Sequence, residues 1–412
     1  MNGCGDCGGG WVCGACGSAA LESVVCLGER PLANGLLDEP GQEAATYPLH
    51  VVVCPACLAV QLTRQVPPAV MFGAYPYFSS QSATMVASAR RLAGRIVASR
   101  RLDPTDLVVE VGSNDGYLLR WYSAAGIRTI GIDPAGECAR VAAGFGVETI
   151  VDYFAPEVAD TLAGTAAVVH ANNVLAHVPD PAVVLDGIRR LLRPGGVVVI
   201  ETPWLVPMVD QAQFDTIYHE HRWYWSFAAF GRLLANAGLH VADVEHLPLH
   251  GGSMRIFATA EPGGTSRKAV AAITAAEAAA GLHSAAGLAD FGARIDARIG
   301  RLRRWRDQLG SPLAGYGAAA KGTMMLAQIG PVDWVVDSTP AKIGRWLPVA
   351  GGIPIRHPDT LMGDRPADCV ILAWNFEEEI ARKTQTYLDV GGRLWTTTPE
   401  PALVGVRDAL SA

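Results

Sequence analysis

Residues 108–120, VVEVGSNDGYLLR, constrain this chain more than any other stretch. The apolar β-formers Leu107, Val108, Val109 and Val111, interrupted only by Glu110, read as a buried strand. The run breaks at Gly112 and Gly116, and Gly116 opens an apolar-periodic helix. Strand, glycine turn and helix make a nucleotide-sized cradle at the carboxyl end of a parallel sheet. The pattern E-x-G-x-N-x-G differs from the dinucleotide fingerprint: it has an acidic residue on the strand and no lysine aimed at phosphate. A ligand with a ribose and a cationic end suits that chemistry, and S-adenosylmethionine is the natural candidate. A plain strand–turn–helix connection is the alternative.

The same rhythm continues through residues 105–202. Residues 129–133 (TIGID) end with Asp133 where a second strand would present a carboxylate to ribose hydroxyls. A third strand is expected over 147–151, with Asp152, Tyr153 and Phe154 at its end. Residues 166–172 are a fourth, ending at Asn172 and followed by Asn173, Val174 and His177, and 196–201 a fifth after the turn RPGG. The expected fold class is α/β, a doubly wound parallel sheet with ligands at the strand ends.

At 412 residues the chain has room for two or three domains, and half of it is hydrophobic. A formal charge of −7 argues against nucleic acid as a partner, since that partner needs a basic face. No stretch has the length and purity of a membrane span, and the first residues lack a basic-then-apolar export pattern. A cytoplasmic protein without membrane or nucleic-acid partners is therefore expected; oligomeric state is not legible.

Seven of nine cysteines fall in the first 57 residues. Without an export signal, metal binding is expected over a disulfide framework. Cys13, Cys16, Cys54 and Cys57 form two Cys-x-x-Cys knuckles that can offer four thiolates to one zinc. Four protein ligands leave no open position, so that zinc would be structural. Free thiols or a redox pair are the alternative, and Cys4/Cys7 lies in a glycine-rich tip. The expected domains are 1–66 around the zinc, 67–262 around the cradle, and 263–412, a helical linker followed by a second α/β unit.

Before the cradle, Tyr75, Tyr77, Ser79, Ser80 and Ser82 crowd hydroxyls and rings, as a sugar-pocket wall or as a partly buried loop. Residues 266–309 read as one or two helices, and 376–389 as a helix between strands of the last unit. Lys321, in the loop LAGYGAAAKG, could hold a phosphate at a helix N-terminus or belong to an ordinary β–α turn.

The densest polar cluster is Tyr218, His219, Glu220 and His221. It lacks the H-E-x-x-H spacing of zinc proteases. Alternation would put Tyr218 and Glu220 on one side and both histidines on the other. A histidine suits proton abstraction near neutral pH, and an adjacent Glu can tune it; satisfied loop histidines are the alternative.

The ordered set CGAC, PLANGLL, YPLHVVVCPAC, YPYFSSQSATM, VEVGSNDGYLLR, NNVLAHV, IYHEHRWYWS, HGGSMR, YGAAAKG and AWN resembles the S-adenosylmethionine-dependent sugar C-methyltransferases over nearly the whole chain. The resemblance implies a zinc-bearing N-terminal part, a class I methyltransferase domain and a C-terminal Rossmann-like domain sharing the nucleotide-sugar site. By position, it puts the base on His221 beside Glu220, with Tyr218 and His177 lining the sugar. The cofactor side takes Glu110, Gly112, Asn114, Gly116, Asp133, Asp152, Phe154, Asn172 and Asn173. Tyr75, Tyr77, Ser79, Arg255, Lys321, Trp374 and Asn375 fall on substrate-contacting segments.

The activity so implied is C-methylation at C-3 of a nucleotide 4-keto-deoxysugar, with dTDP the expected nucleotide, in deoxysugar and antibiotic biosynthesis. His221 would remove the proton beside the ketone, and the enolate would take the sulfonium methyl; His177 or Tyr218 would face the ketone oxygen. Methylation at C-5, or a zinc-dependent scaffold with a degenerate methyltransferase core, are the alternatives.

Overall fold

The computed structural model describes residues 10–67, 70–71 and 78–405. Tyr75, Tyr77 and the Cys4/Cys7 pair lie outside these residues. Three sheets carry the architecture. The small N-terminal sheet holds β1 (Glu22–Pro31), β2 (Thr46–Val53) and β3 (Val60–Leu62), all antiparallel.

The central unit contributes β4 (Leu107–Val111), β5 (Arg128–Ile132), β6 (Glu148–Ile150), β7 (Ala166–Asn172), β8 (Leu192–Pro203), β9 (Trp223–Tyr224), β10 (His240–Leu247) and β11 (Ser253–Thr259). Strand β9 leaves this unit and pairs with β3, so the small sheet is built from two separate stretches of chain. The central order is β10-β11-β8-β7-β4-β5-β6, parallel from β8 to β6, with β11 reversed against β8. Every residue of β4 and β7 is buried, as covering both faces of a parallel sheet requires. Strand order reverses between β4 and β7, and the crevice at that switch point is where such sheets take ligands.

The third sheet comprises β12 (Leu313–Tyr316), β13 (Trp334–Val336), β14 (Trp346–Leu347), β15 (Ile353–Arg356), β16 (Asp368–Ile371), β17 (Arg393–Thr396) and β18 (Ala402–Leu403). Its order is β14-β15-β13-β12-β16-β17-β18, with a second switch point between β12 and β16. Two helices, Arg267–Ala279 and Phe291–Arg306, join the two units as expected. Among the described residues, no helix is long and apolar enough to cross a membrane.

Three local expectations are corrected. Gly116 does not start a regular helix: at φ +75° it closes a left-handed turn, and the helix begins at Leu119. Strand β6 is shorter than its apolar run because it is a sheet edge, where Val151 stands 54% exposed. The single helix expected over 376–389 is two, Glu377–Lys383 and Gln385–Asp389. At the break, the Thr384 hydroxyl donates back to the Ile380 carbonyl at 2.9 Å and competes with the helical ladder.

The helix Phe227–Asn236 starts against a fully buried carboxylate. Glu277 accepts hydrogen bonds from Trp204 Nε1 at 2.8 Å and the Ala228 amide at 3.0 Å, and from the Phe227 amide. A carboxylate there satisfies orphan amides and complements the helix dipole. Glu277→Ala should lower unfolding free energy by about 1–3 kcal/mol, the cost of unpaired buried donors, read as a lower urea midpoint at unchanged slope.

Candidate functional site

Cys13, Cys16, Cys54 and Cys57 converge so that all four sulfurs lie within 4.8 Å of one another. The pairs Cys13–Cys57 and Cys16–Cys54 are each 3.6 Å apart. The two knuckles repeat one backbone pattern. Cys13 N donates to Ser18 O and Gly17 N to Cys13 O; Cys54 N donates to Ala59 O and Leu58 N to Cys54 O. Gly17 and Leu58, at φ +76° and +63°, make the left-handed turn in each. Zinc–sulfur bonds of about 2.3 Å put tetrahedral sulfurs about 3.8 Å apart, so the donor set fits zinc closed on all four sides. Cys26 stands outside the cluster.

At the central switch point, Gly112 adopts φ +67°, and a Cβ there would meet Val174 Cγ2 at 2.4 Å. Asp133 accepts the amide of Asn114 at 2.8 Å on one oxygen and that of Ala135 at 2.9 Å on the other. Its carboxyl is raised above the usual range by burial, against those two amides. Glu110 is fully buried: Asn172 Nδ2 donates to its Oε1 at 3.4 Å, while Glu110 Oε2 and Asn172 Oδ1 meet no partner among the described residues. Burial holds the Glu110 carboxyl well above its usual range, with Asp133, Asp115 and Glu201 adding to the rise. Unpaired acceptors beside a glycine cradle fit a ligand that brings donors and positive charge, as S-adenosylmethionine does. The segment preceding the cradle closes on the same loop: Ser79 N donates to Asn114 Oδ1 at 2.9 Å and Ser80 N to Asp115 Oδ2 at 3.1 Å.

The cluster 218–221 is a turn, not a strand, and the expected alternation fails. After the short helical turn Phe214–Thr216, the His221 amide donates to Tyr218 O at 2.9 Å, which brings residues 218 and 221 together. His221 Nδ1 faces the Thr216 carbonyl at 2.9 Å, so it carries the proton and donates there. The Nε2 lone pair then accepts from Tyr218 OH at 2.8 Å. The His177 ring lies edge-on, 5.0 Å from that of His221. Burial pulls the His221 pKa well below its ordinary value; His177, Lys321 and His250 add to this, against the Thr216 carbonyl. His177 falls to about 4 by burial.

The other two members turn away from His221. Glu220 accepts from Asn34 Nδ2 at 2.7 Å, and burial pushes its carboxyl up to about 7, against Asn34 and Lys342. His219 donates through Nε2 to the Tyr47 carbonyl at 3.1 Å. The adjoining carboxylate is thus not the partner of His221; Tyr218 and the Thr216 carbonyl are.

From the second switch point come Lys321 and Trp374. Lys321 Nζ donates to His250 O at 2.7 Å and lies 4.3 Å from the centre of the Trp374 ring. Burial lowers Lys321 to about 8, opposed by Asp215. Trp374 Nε1 donates to the fully buried Asp215 at 2.5 Å. The two α/β units therefore meet at the histidine turn.

Three family models cover most of the chain: a zinc binding domain over 13–72, a methyltransferase domain over 85–244, and a C-methyltransferase C-terminal domain over 248–399. C-methyltransferase NovU of Streptomyces niveus is 37% identical across 97% of this chain and 98% of its own length. The chain belongs to the C-methyltransferase family. A ubiquinone biosynthesis O-methyltransferase of Xylella fastidiosa is 30% identical over 33% of this chain and 62% of its own. A solved geranyl diphosphate methyltransferase with SAM shares 19% identity over 43% of this chain and 86% of its own, at a TM-score of 0.36. The chain is an S-adenosylmethionine-dependent C-methyltransferase of class I fold with a zinc-binding N-terminal part.

In this C-methyltransferase the remaining expected residues scatter more widely. Arg255 is spent on Glu201, which accepts its Nε at 3.1 Å and its NH2 at 2.7 Å beneath the sheet end. The Asn173 amide donates to Glu201 O at 2.7 Å. Asp152 is exposed and accepts the Tyr153 amide at 2.8 Å, and Phe154 packs against Gly187. Asn375 is half-buried beside Trp374. Asn34, Asp215, Glu201 and His250 were missed. Asn34 and His250 lie within PLANGLL and HGGSMR, so a closer look at those polar residues could have found them.

Two outcomes test the cofactor and metal sites. The protein should hold about one zinc per chain, and Cys13→Ser should lower zinc content by elemental analysis together with solubility. Full zinc in a Cys54→Ser/Cys57→Ser variant would move the site elsewhere. Asp133→Ala should weaken S-adenosylmethionine binding by about 1.5–3 kcal/mol in titration calorimetry, the value of a hydrogen bond to a charged group.

Proposed function

We propose that this enzyme C-methylates a nucleotide 4-keto-deoxysugar at C-3, with dTDP as the nucleotide, in cytoplasmic deoxysugar and antibiotic biosynthesis. The observation that carries the reading is the Tyr218–His221 pair: a buried, neutral imidazole whose Nδ1 is held by the Thr216 carbonyl, leaving Nε2 as the base. An O- or N-methyltransferase works on lone pairs, whereas a saturated carbon acceptor must first lose a proton. A ketone beside that carbon supplies the acidity. When bound, S-adenosylmethionine supplies the electrophilic methyl.

In this reading the carbon's proton passes to His221 Nε2, and the imidazolium is stabilised by Thr216 O. The Tyr218 hydroxyl, displaced from Nε2, turns to the ketone oxygen as charge develops there, and His177 is the second candidate donor. Lys321 adds positive potential from the opposite unit, consistent with a nucleotide sugar held between the two. The ordered sugar-methyltransferase motifs support the choice of sugar, and methylation at C-5 is the competing regiochemistry. NMR of products from a panel of nucleotide 4-keto sugars decides substrate and position.

His221→Ala should lose turnover by about 10²–10⁴-fold, the usual contribution of a positioned acid–base group, with S-adenosylmethionine binding little changed. His219→Ala, which removes the bond to Tyr47 O and the edge contact with the Tyr47 ring, should lose far less. The His221 variant should also stop washing solvent deuterium into the carbon beside the ketone. Near-normal methylation by His221→Ala, with loss in His219→Ala, would reassign the base.

A further inference from the structure

Resting on the carbon-deprotonation reading, we infer that His250 carries the proton that His221 collects out of the site, across a cavity the two rings share. Each C-methylation breaks a C–H bond and forms a C–C bond. The C–H electron pair goes into the new bond, and the proton stays on His221 until the protein removes it. His221 is 8% exposed, and its two ring nitrogens face Thr216 O and Tyr218 OH, both of them buried groups. A second cycle needs an exit.

One small cavity is lined by His221, Thr216, Gln213, Trp204 and His250. Two polar atoms at these residues, Thr216 Oγ1 and His250 Nε2, are buried with no hydrogen-bond partner among the described residues. They give a water molecule two of the two to four partners such a site needs. His250 as a whole is half-buried, with Nε2 enclosed and unpaired. A neutral imidazole accepts a proton on Nε2 and gives one up from Nδ1, which is the net displacement required. Burial and the Lys321 charge lower the His250 pKa to about 4, so a proton would not rest there.

The backbone around His250 is held in a demanding shape. His250 itself sits at φ +55°, unusual for a residue with a side chain, followed by Gly251 and Gly252 at +91° and +116°. A Cβ on Gly251 would meet Trp374 at 2.4 Å, and one on Gly252 would meet Pro207 at 2.4 Å. Lys321 pins the His250 carbonyl. Strain of this kind persists only where the surroundings over-determine it.

The test uses the zinc-loaded full chain, S-adenosylmethionine and whichever acceptor the wild type methylates. His250→Asn tolerates the left-handed backbone but cannot relay, and His250→Gly leaves space for added imidazole. In both, methyl transfer in a single turnover should stay within about threefold of wild type, while steady-state turnover falls about tenfold or more. Binding of cofactor and acceptor should be unchanged, and added imidazole should restore steady-state turnover in His250→Gly. Steady-state rates equal to wild type, equal loss in both regimes, or no imidazole rescue would each overturn the relay. Failure of the wild type to methylate any 4-keto sugar would instead overturn the substrate reading, which leaves the relay testable on the true acceptor.

Discussion

Arg298 is the contact on which the site geometry rests. Its guanidinium, 1% exposed, donates to the Gln211 and Ala212 carbonyls of the central unit and to Thr397 O and Thr398 Oγ1 of the C-terminal unit. A buried charge is tolerated when it is met by acceptors, and here four acceptors from two units meet its two terminal nitrogens. Two residues beyond Ala212 begins the helical turn that ends at Thr216, whose carbonyl sets the tautomer of His221. Trp374 adds a second bond across the same junction, to Asp215. His221, the proposed base, is thus oriented by backbone that the C-terminal unit holds in place.

The two α/β units use one device with different results. In each, an aspartate after the second strand accepts an amide from the loop nineteen residues earlier and another from two residues later: Asp133 from Asn114 and Ala135, Asp337 from Ala318 and Thr339. In the central unit the nearby Glu110 and Asn172 are left with unpaired acceptors. In the C-terminal unit Lys342 fills that role, donating to Ala318 O at 2.9 Å and lying 3.7 Å from Asp337. One cradle keeps its polar atoms for a ligand, and the other satisfies them with its own lysine.

Electrostatics follow from this burial. His177, His221 and His250 are all driven towards the neutral form by desolvation, and the Lys321 charge reinforces the shift at His221 and His250. A neutral imidazole is the competent form of a base, so the low pKa is a condition for proton abstraction.

What the sequence determined alone is what depends on short-range pattern. Apolar runs with few polar interruptions marked β4 and β7, because strands covered on both faces admit few polar residues. Paired Cys-x-x-Cys knuckles named the zinc ligands, since four thiolates at those spacings converge readily on one tetrahedral ion. The rhythm of strands also put a glycine turn after β4, at Gly112, and the motif order named the family. Only the tertiary structure decided the partners within the site. Alternation paired the wrong side chains in Tyr218-His219-Glu220-His221 because a turn, not a strand, places residues three apart together. Glu220 finds Asn34 across 186 residues of chain, Trp374 finds Asp215 across 159, and Arg255 is claimed by Glu201. Such pairings are set by how the units dock and by the need to satisfy each buried polar group, and neither leaves a local trace in the sequence.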